Sequence, residues 1–209
     1  MIRYSTVLGQ GKAEQVIDKS RFIAHVKPIS SKEEGEQFIG KIKKEYKDAT
    51  HNVPAMVIGE EFQVQWASDD GEPQGTSGAP MVQMLVQEGI TNVAVVVTRY
   101  FGGIKLGTGG LVRAYTGSAQ LGLKAAGICD VKEMMECNYH CDYSVFHKIQ
   151  NHSFSFPVDI TDIEYLDVVH CNLVIDPVNQ DALMGIVADI SNGTAILSQQ
   201  TVTFRKIKR

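Results

Sequence analysis

From Gly89 to Cys129 the chain contains no aspartate or glutamate. That gap is local, because the formal net charge of the 209 residues is −4. Binding of a polyanion through bulk charge is therefore excluded. Residues 1–129 hold 14 Lys+Arg against 13 Asp+Glu, and residues 130–209 hold 6 against 11, so a nucleic-acid contact would be confined to the first part. Cysteine is scarce. Cys129, Cys137, Cys141 and Cys171 form no CxxC pair and sit in apolar, strand-like stretches, which reads as reduced thiols in the core. His140 alternates with Cys137 and Cys141 along a strand, which separates it from them on the opposite face. No apolar run approaches the roughly 20 residues of a membrane span. Met1-Ile2-Arg3-Tyr4 lacks the apolar core of a signal peptide. A cytoplasmic location without membrane contact is expected. The P-loop string is missing, and Val112 stands where a dinucleotide-binding fingerprint built on Gly107 and Gly109 needs glycine.

Glycine, by contrast, is concentrated. Gly102, Gly103, Gly107, Gly109 and Gly110 lie within one short segment between the apolar run Val93–Val97 and an amphipathic stretch from Leu111 to Ala126. The reading is strand, glycine loop, helix. A loop that ends at a helix start presents unpaired backbone N–H groups and the positive end of the helix dipole, which suits an anion. Arg99, Lys105 and Arg113 bracket it, and Thr108 adds a hydroxyl. Arginine forks onto phosphate, and lysine adds a point charge. Tyr100 or Tyr115 is a candidate to stack on a base. Gly109 is expected at positive φ, where valine would be strained. The alternative is a tight structural turn with incidental basic residues.

A second loop, Ser68 to Pro80, carries Asp69, Asp70 and Glu72 among three glycines and two prolines. Hard oxygen ligands of this kind suit Mg²⁺. Pairing to Arg or Lys of the glycine loop is the competing reading, and it places the two loops side by side. Thr76 and Ser77 precede a helix that Pro80 helps to start, and capping is their expected role. His51-Asn52 opens an apolar strand, and His51 is a further candidate residue.

Along the chain, Gly11–Ser20 and Arg21–Ile29 read as strands. Ser31 with Glu34 reads as a capping box opening a helix to about Lys47, with Phe38, Ile39, Ile42 and Tyr46 on one face. Lys41, Lys43, Lys44 and Lys47 read as its solvated side. Val53–Gly59 and Phe62–Ala67 form a strand pair. Beyond Asp130 the pattern is strand, helix, strand, strand, helix, strand, a β-α-β-β-α-β ferredoxin-like order. Two α+β domains, 1–129 and 130–209, are predicted. The basic end Arg205–Arg209 is expected to be solvated.

Residues 69–80 and 95–115 resemble the two signature stretches of the IMPACT/YigZ family, and Lys19-Ser20-Arg21-Phe22 and His51-Asn52 also match. Many relatives carry cysteine after the His-Asn pair, where this chain has Val53, so a thiol nucleophile is not expected there. The resemblance implies an N-terminal domain of the ribosomal-protein type, with a left-handed βαβ crossover, like RNase PH and domain four of elongation factor G. It implies a ferredoxin-like second domain like domain five of that factor. Eukaryotic members regulate translation with an additional RWD domain not present in these residues, so their partner contacts are not carried over. RNA or the ribosome is the expected partner, with a role in translation regulation. A metal-dependent enzyme acting on a phosphorylated small molecule or nucleic acid, and a protein-interaction module, are the alternatives.

Overall fold

The computed structural model describes residues 2–209. They divide into two compact units, residues 2–131 with 206–209, and residues 132–205. The elements in order are β1 (Ile2–Val7), β2 (Gly11–Ile17), β3 (Ser20–Pro28), α1 (Lys32–Glu45), β4 (His51–Ile58), β5 (Val64–Ala67), α2 (Gly78–Gln87), β6 (Val93–Tyr100), α3 (Gly107–Ala126), β7 (Ile128–Cys141), α4 (Tyr143–Gln150), β8 (Asp159–Tyr165), β9 (Val169–Ile175), α5 (Gln180–Ser191) and β10 (Ile196–Lys208). The fold is α+β, as expected, with two sheets and five α-helices among the described residues.

The first unit is built on a sheet of order β2-β3-β6-β4-β5, antiparallel at every pairing. β6 is its middle strand, and successive side chains point to opposite faces. Val93, Val95 and Val97 join a core with Phe22, Ala24, Val53, Ala55, Met81, Leu85, Tyr115 and Leu123. Ala94 and Val96 join a separate core with Phe38, Ile39, Ile42 and Met56. α1 therefore covers one face, and α2 with α3 the other. This is why Val93–Val97 is apolar throughout and does not alternate. Val53 is fully buried in the α2/α3-side core, so a thiol at that position would be buried too.

Local chemistry sets the ends. The β2–β3 turn has Asp18 at φ 45° and Lys19 at φ 64°, the left-handed pair of a two-residue hairpin. Ser31 accepts from Glu34 N at 3.2 Å, as the capping box predicts. The Glu34 carboxylate reaches Ser30 N at 2.9 Å and Lys27 at 2.7 Å. The Lys27 ammonium, with the Ser30 N–H, holds it down at about 2.

In the second unit the strands order β10-β7-β9-β8. Cys137, Tyr139, Cys141 and Cys171 face its core with Phe146, Ile149, Leu173 and Leu183. All four cysteines of the chain are free and buried, and burial raises each thiol. His140 lies on the other face, stacked on its cross-strand partner His170 with centroids 4.0 Å apart. The basic end is not simply solvated. Lys206 Nζ donates to Val7 O at 2.9 Å, and Arg209 pairs with Asp130 at 2.6 Å.

Two glycines of α3 should respond oppositely to alanine. A Cβ at Gly122 would sit 2.9 Å from Ala24 Cβ and Val26 Cγ2, so Gly122→Ala should cost roughly 1–3 kcal/mol by overpacking. At Gly117 the nearest atom is Gln15 Nε2 at 3.8 Å, and Gly117→Ala should be neutral or stabilise by roughly 0.5–1 kcal/mol through helix propensity. Chemical denaturation of both variants checks the pair.

His25, 6% exposed, packs on Tyr46 with its Nε2 unpartnered. Burial, helped by Lys12, pushes its imidazole down to about 4. The unfolded chain, with this group near 6.5, binds more protons between those values. Stability should therefore fall as pH drops from about 6.5 towards about 4, by up to ~3 kcal/mol from this group. His25→Phe should remove that share of the slope in denaturation measured across pH.

Candidate functional site

The acidic loop is held by its own carboxylates, each in a different task. Asp69 Oδ1 accepts from Gly78 N at 2.9 Å, Ser77 N at 3.2 Å and Ser77 Oγ at 2.7 Å, and Oδ2 from Gly75 N at 2.8 Å. Burial alone would raise this carboxyl, but the donors outweigh it and hold it below its usual range. Asp69 thus caps α2. Ser77 occupies the cap position without capping, and Thr76 Oγ1 donates to Pro73 O at 2.6 Å, which corrects the expectation for both. Asp70 pairs with Lys43 at 2.5 Å and accepts from Asn52 N at 2.6 Å. Its carbonyl lies 2.8 Å from His51 Nδ1, so that nitrogen carries the proton. Among the described residues no three His, Cys, Asp or Glu side chains come together as metal ligands.

Glu72 is the link to the glycine segment. It is 8% exposed and accepts from Arg99 Nη1 at 2.6 Å and Tyr115 OH at 2.7 Å, with His51 Nε2 at 3.8 Å. The two loops are side by side, as predicted, although only through this carboxylate. Arg99, read from the sequence as a phosphate fork, is 5% exposed and committed to Glu72. Its guanidinium lies 5.4 Å from the Phe22 ring centre and 5.4 Å from that of Phe101. Tyr115 is fully buried, edge-on to Phe22, and cannot stack on a base. Burial, then Glu72, drives its hydroxyl well above the usual range. Tyr100 donates to Asp48 at 3.2 Å and lies beside Arg21.

The glycines divide by task. Gly102 meets the hairpin turn, where a Cβ would lie 2.0 Å from Lys19 C. Its N–H donates to Ser20 Oγ at 3.2 Å. Gly103 and Gly107 have φ of 85° and 71°. Gly109 does not. It and Gly110 fall in the first turn of α3, which starts four residues earlier than periodicity indicated because glycine carries no apolar signal. The strain expected of valine at Gly109 is therefore absent. No side chain caps α3, and its first turn has no acid. Lys105, Thr108 and Arg113 are exposed there, and neither Lys105 nor Arg113 makes an ion pair among the described residues. A cleft of about 390 Å³ lies between the loops, lined by Glu72, Pro73, Arg99, Phe101, Lys105, Leu106, Gly107, Thr108 and Leu111. Sequence reasoning missed Phe101, 47% exposed within a glycine loop, and Ser20, which serves Gly102 and Arg99.

These features define a two-unit α+β protein whose first unit brings an acidic and a glycine-rich loop together on one buried ion pair. Residues 18–123 match the Impact N-terminal domain, and residues 140–194 match a domain of unknown function, DUF1949. The chain belongs to the IMPACT family. It is 39% identical over 201 residues to the IMPACT family member YvyE of Bacillus subtilis, covering 96% of this chain and 93% of that protein. It is 39% identical over 129 residues to the IMPACT family member YigZ of Escherichia coli, covering 61% of this chain and 63% of that one. A solved structure described as that of an hypothetical protein is similar with a TM-score of 0.59 at 30% identity, covering 94% of this chain and 97% of the other.

The buried pair gives a stability test. Glu72→Ala should cost about 3–5 kcal/mol, because it leaves a buried guanidinium unpaired. Tyr115→Phe, which removes a hydrogen bond to a charged group, should cost about 1.5–3 kcal/mol. The double variant Glu72→Leu with Arg99→Met should be more stable than Glu72→Ala, as measured by urea unfolding.

Proposed function

We propose that the protein binds RNA, free or in the ribosome, through the start of α3, and acts in the regulation of translation in the cytoplasm. The observation that supports this most is the uncapped, acid-free first turn of α3 with Lys105 and Arg113 exposed beside it and, among the described residues, without an ion pair. α1 has a capping side chain and α2 has Asp69, so the two helices flanking the same sheet have their N-terminal donors occupied. At α3 the N–H groups, the dipole and two cations are left for a phosphate. The anion contacts belong to Lys105, Thr108, Arg113 and the backbone at Gly107 and Gly109. Arg99 supports the loop from beneath, and Gly102, Gly103 and Gly110 shape its backbone. Tyr100 lies at its margin.

The finer fold reading accompanies this. The first unit is taken as ribosomal-protein-like. In support, β3 and β4 run parallel with β6 between them, joined through α1. The second is taken as ferredoxin-like, from its strand order. A metal-dependent enzyme finds less support, since Asp69, Asp70 and Glu72 are each already engaged.

Each exposed cation that meets a phosphate contributes about one unit to the salt dependence of binding. Lys105→Ala and Arg113→Ala should each lower the slope of log K against log salt for single-stranded RNA by roughly one, with the melting temperature unchanged. Unchanged affinity and slope in both would leave the glycine segment as a turn.

A further inference from the structure

The start of α3 opens onto the cleft between the two loops, and that cleft asks for more than a phosphate. We propose that it takes one whole nucleotide, the phosphate at Lys105 and the helix start and the base against Phe101. This rests on the RNA-binding reading above and names the unit that is read. The cleft's about 390 Å³ falls in the range of small-ligand pockets. Pro73, Phe101, Leu106 and Leu111 make much of its wall apolar, while Lys105 and the first turn of α3 give one part positive character. Glu72 also lines it, but its carboxylate is taken up by Arg99 and Tyr115, so it opposes an anion little.

Phe101 is the decisive side chain. It is 47% exposed, yet Arg99 lies 5.4 Å from its ring and, at the same distance, from Phe22. A buried, ion-paired guanidinium flanked by two rings holds the exposed one in place. A fixed aromatic face beside a cation is a stacking platform for a base. Arg99, 95% buried and itself part of the cleft wall, has an Nε without a partner. An inorganic anion would leave the apolar wall wet. An apolar ligand would leave Lys105 and the helix dipole unmatched. A planar ring carrying a phosphate satisfies both, and its source is either a free nucleotide or a residue of single-stranded RNA.

The test is calorimetric titration of the full chain with AMP, adenosine, ribose 5-phosphate and inorganic phosphate. AMP should bind at least tenfold more tightly than ribose 5-phosphate or adenosine. Phe101→Ala should reduce AMP to the level of ribose 5-phosphate and leave the latter unchanged, while Phe101→Tyr keeps the preference. Lys105→Ala should weaken AMP and ribose 5-phosphate alike. A single-stranded oligoribonucleotide that displaces AMP makes an RNA residue the occupant; AMP binding that the oligonucleotide does not displace makes it a free nucleotide. Equal binding of AMP and ribose 5-phosphate, or an unchanged ratio in a folded Phe101→Ala protein, overturns the proposal. If salt-dependent RNA binding persists in that case, the anion site stands and only the base cleft falls. If RNA binding is absent too, both fall.

Discussion

A single carboxylate under the surface, Glu72, decides where the two conspicuous loops of this chain lie. It takes one hydrogen bond from a strand end, through Arg99, and one from a helix, through Tyr115. Removing a carboxylate and a guanidinium from water is costly, and the attraction between them offsets that only when geometry and extra hydrogen bonds are good. The second donor on Glu72 and the two rings beside Arg99 provide them. The loop backbones follow. Gly71 and Asp70 adopt positive φ to bring Glu72 inward. Gly102 lets the chain leave β6 flush with the β2–β3 turn. The surface chemistry at α3 is displayed on a base that this pair fixes.

The same pair explains what the sequence shows and what it hides. Residue type alone puts Arg99 with Lys105 and Arg113, because all three are basic and near glycines. Their fates differ by burial, which depends on a carboxylate 27 positions away in the chain. Strands and helices were largely legible, since Val93–Val97 is an unbroken apolar run of strand length and the Phe38, Ile39, Ile42 stripe repeats at helical spacing. The first turn of α3 was not, because Gly107, Gly109 and Gly110 have no side chain to be apolar or polar. β1 went unread as well, since Ile2–Val7 mixes charge, aromatic and hydroxyl residues without alternation.

Capping was legible in α1 and misplaced in α2. Ser31 and Glu34 lie three apart, within the reach of local rules. Asp69 stands eight and nine residues before the N–H groups it satisfies at Ser77 and Gly78. A turn with Gly71 and Gly75 at positive φ folds it back over that distance. The carboxylates that look like a metal-binding run are therefore fastenings, each facing a different neighbour.

The division of the chain has a topological consequence. Residues 206–209 belong with the first unit, so the second is an insertion into the first and not an appendage to it. Arg209 closes on Asp130 and on Ser5 Oγ, and its N–H donates to Ile128 O at 3.1 Å. The polypeptide leaves the first unit and re-enters it at neighbouring points, so the intervening residues form a closed loop in the sense of connectivity. Excision of residues 132–205 cuts through β7 and β10 but keeps residues 206–209 with the first unit, whereas truncation after Val131 removes them from it.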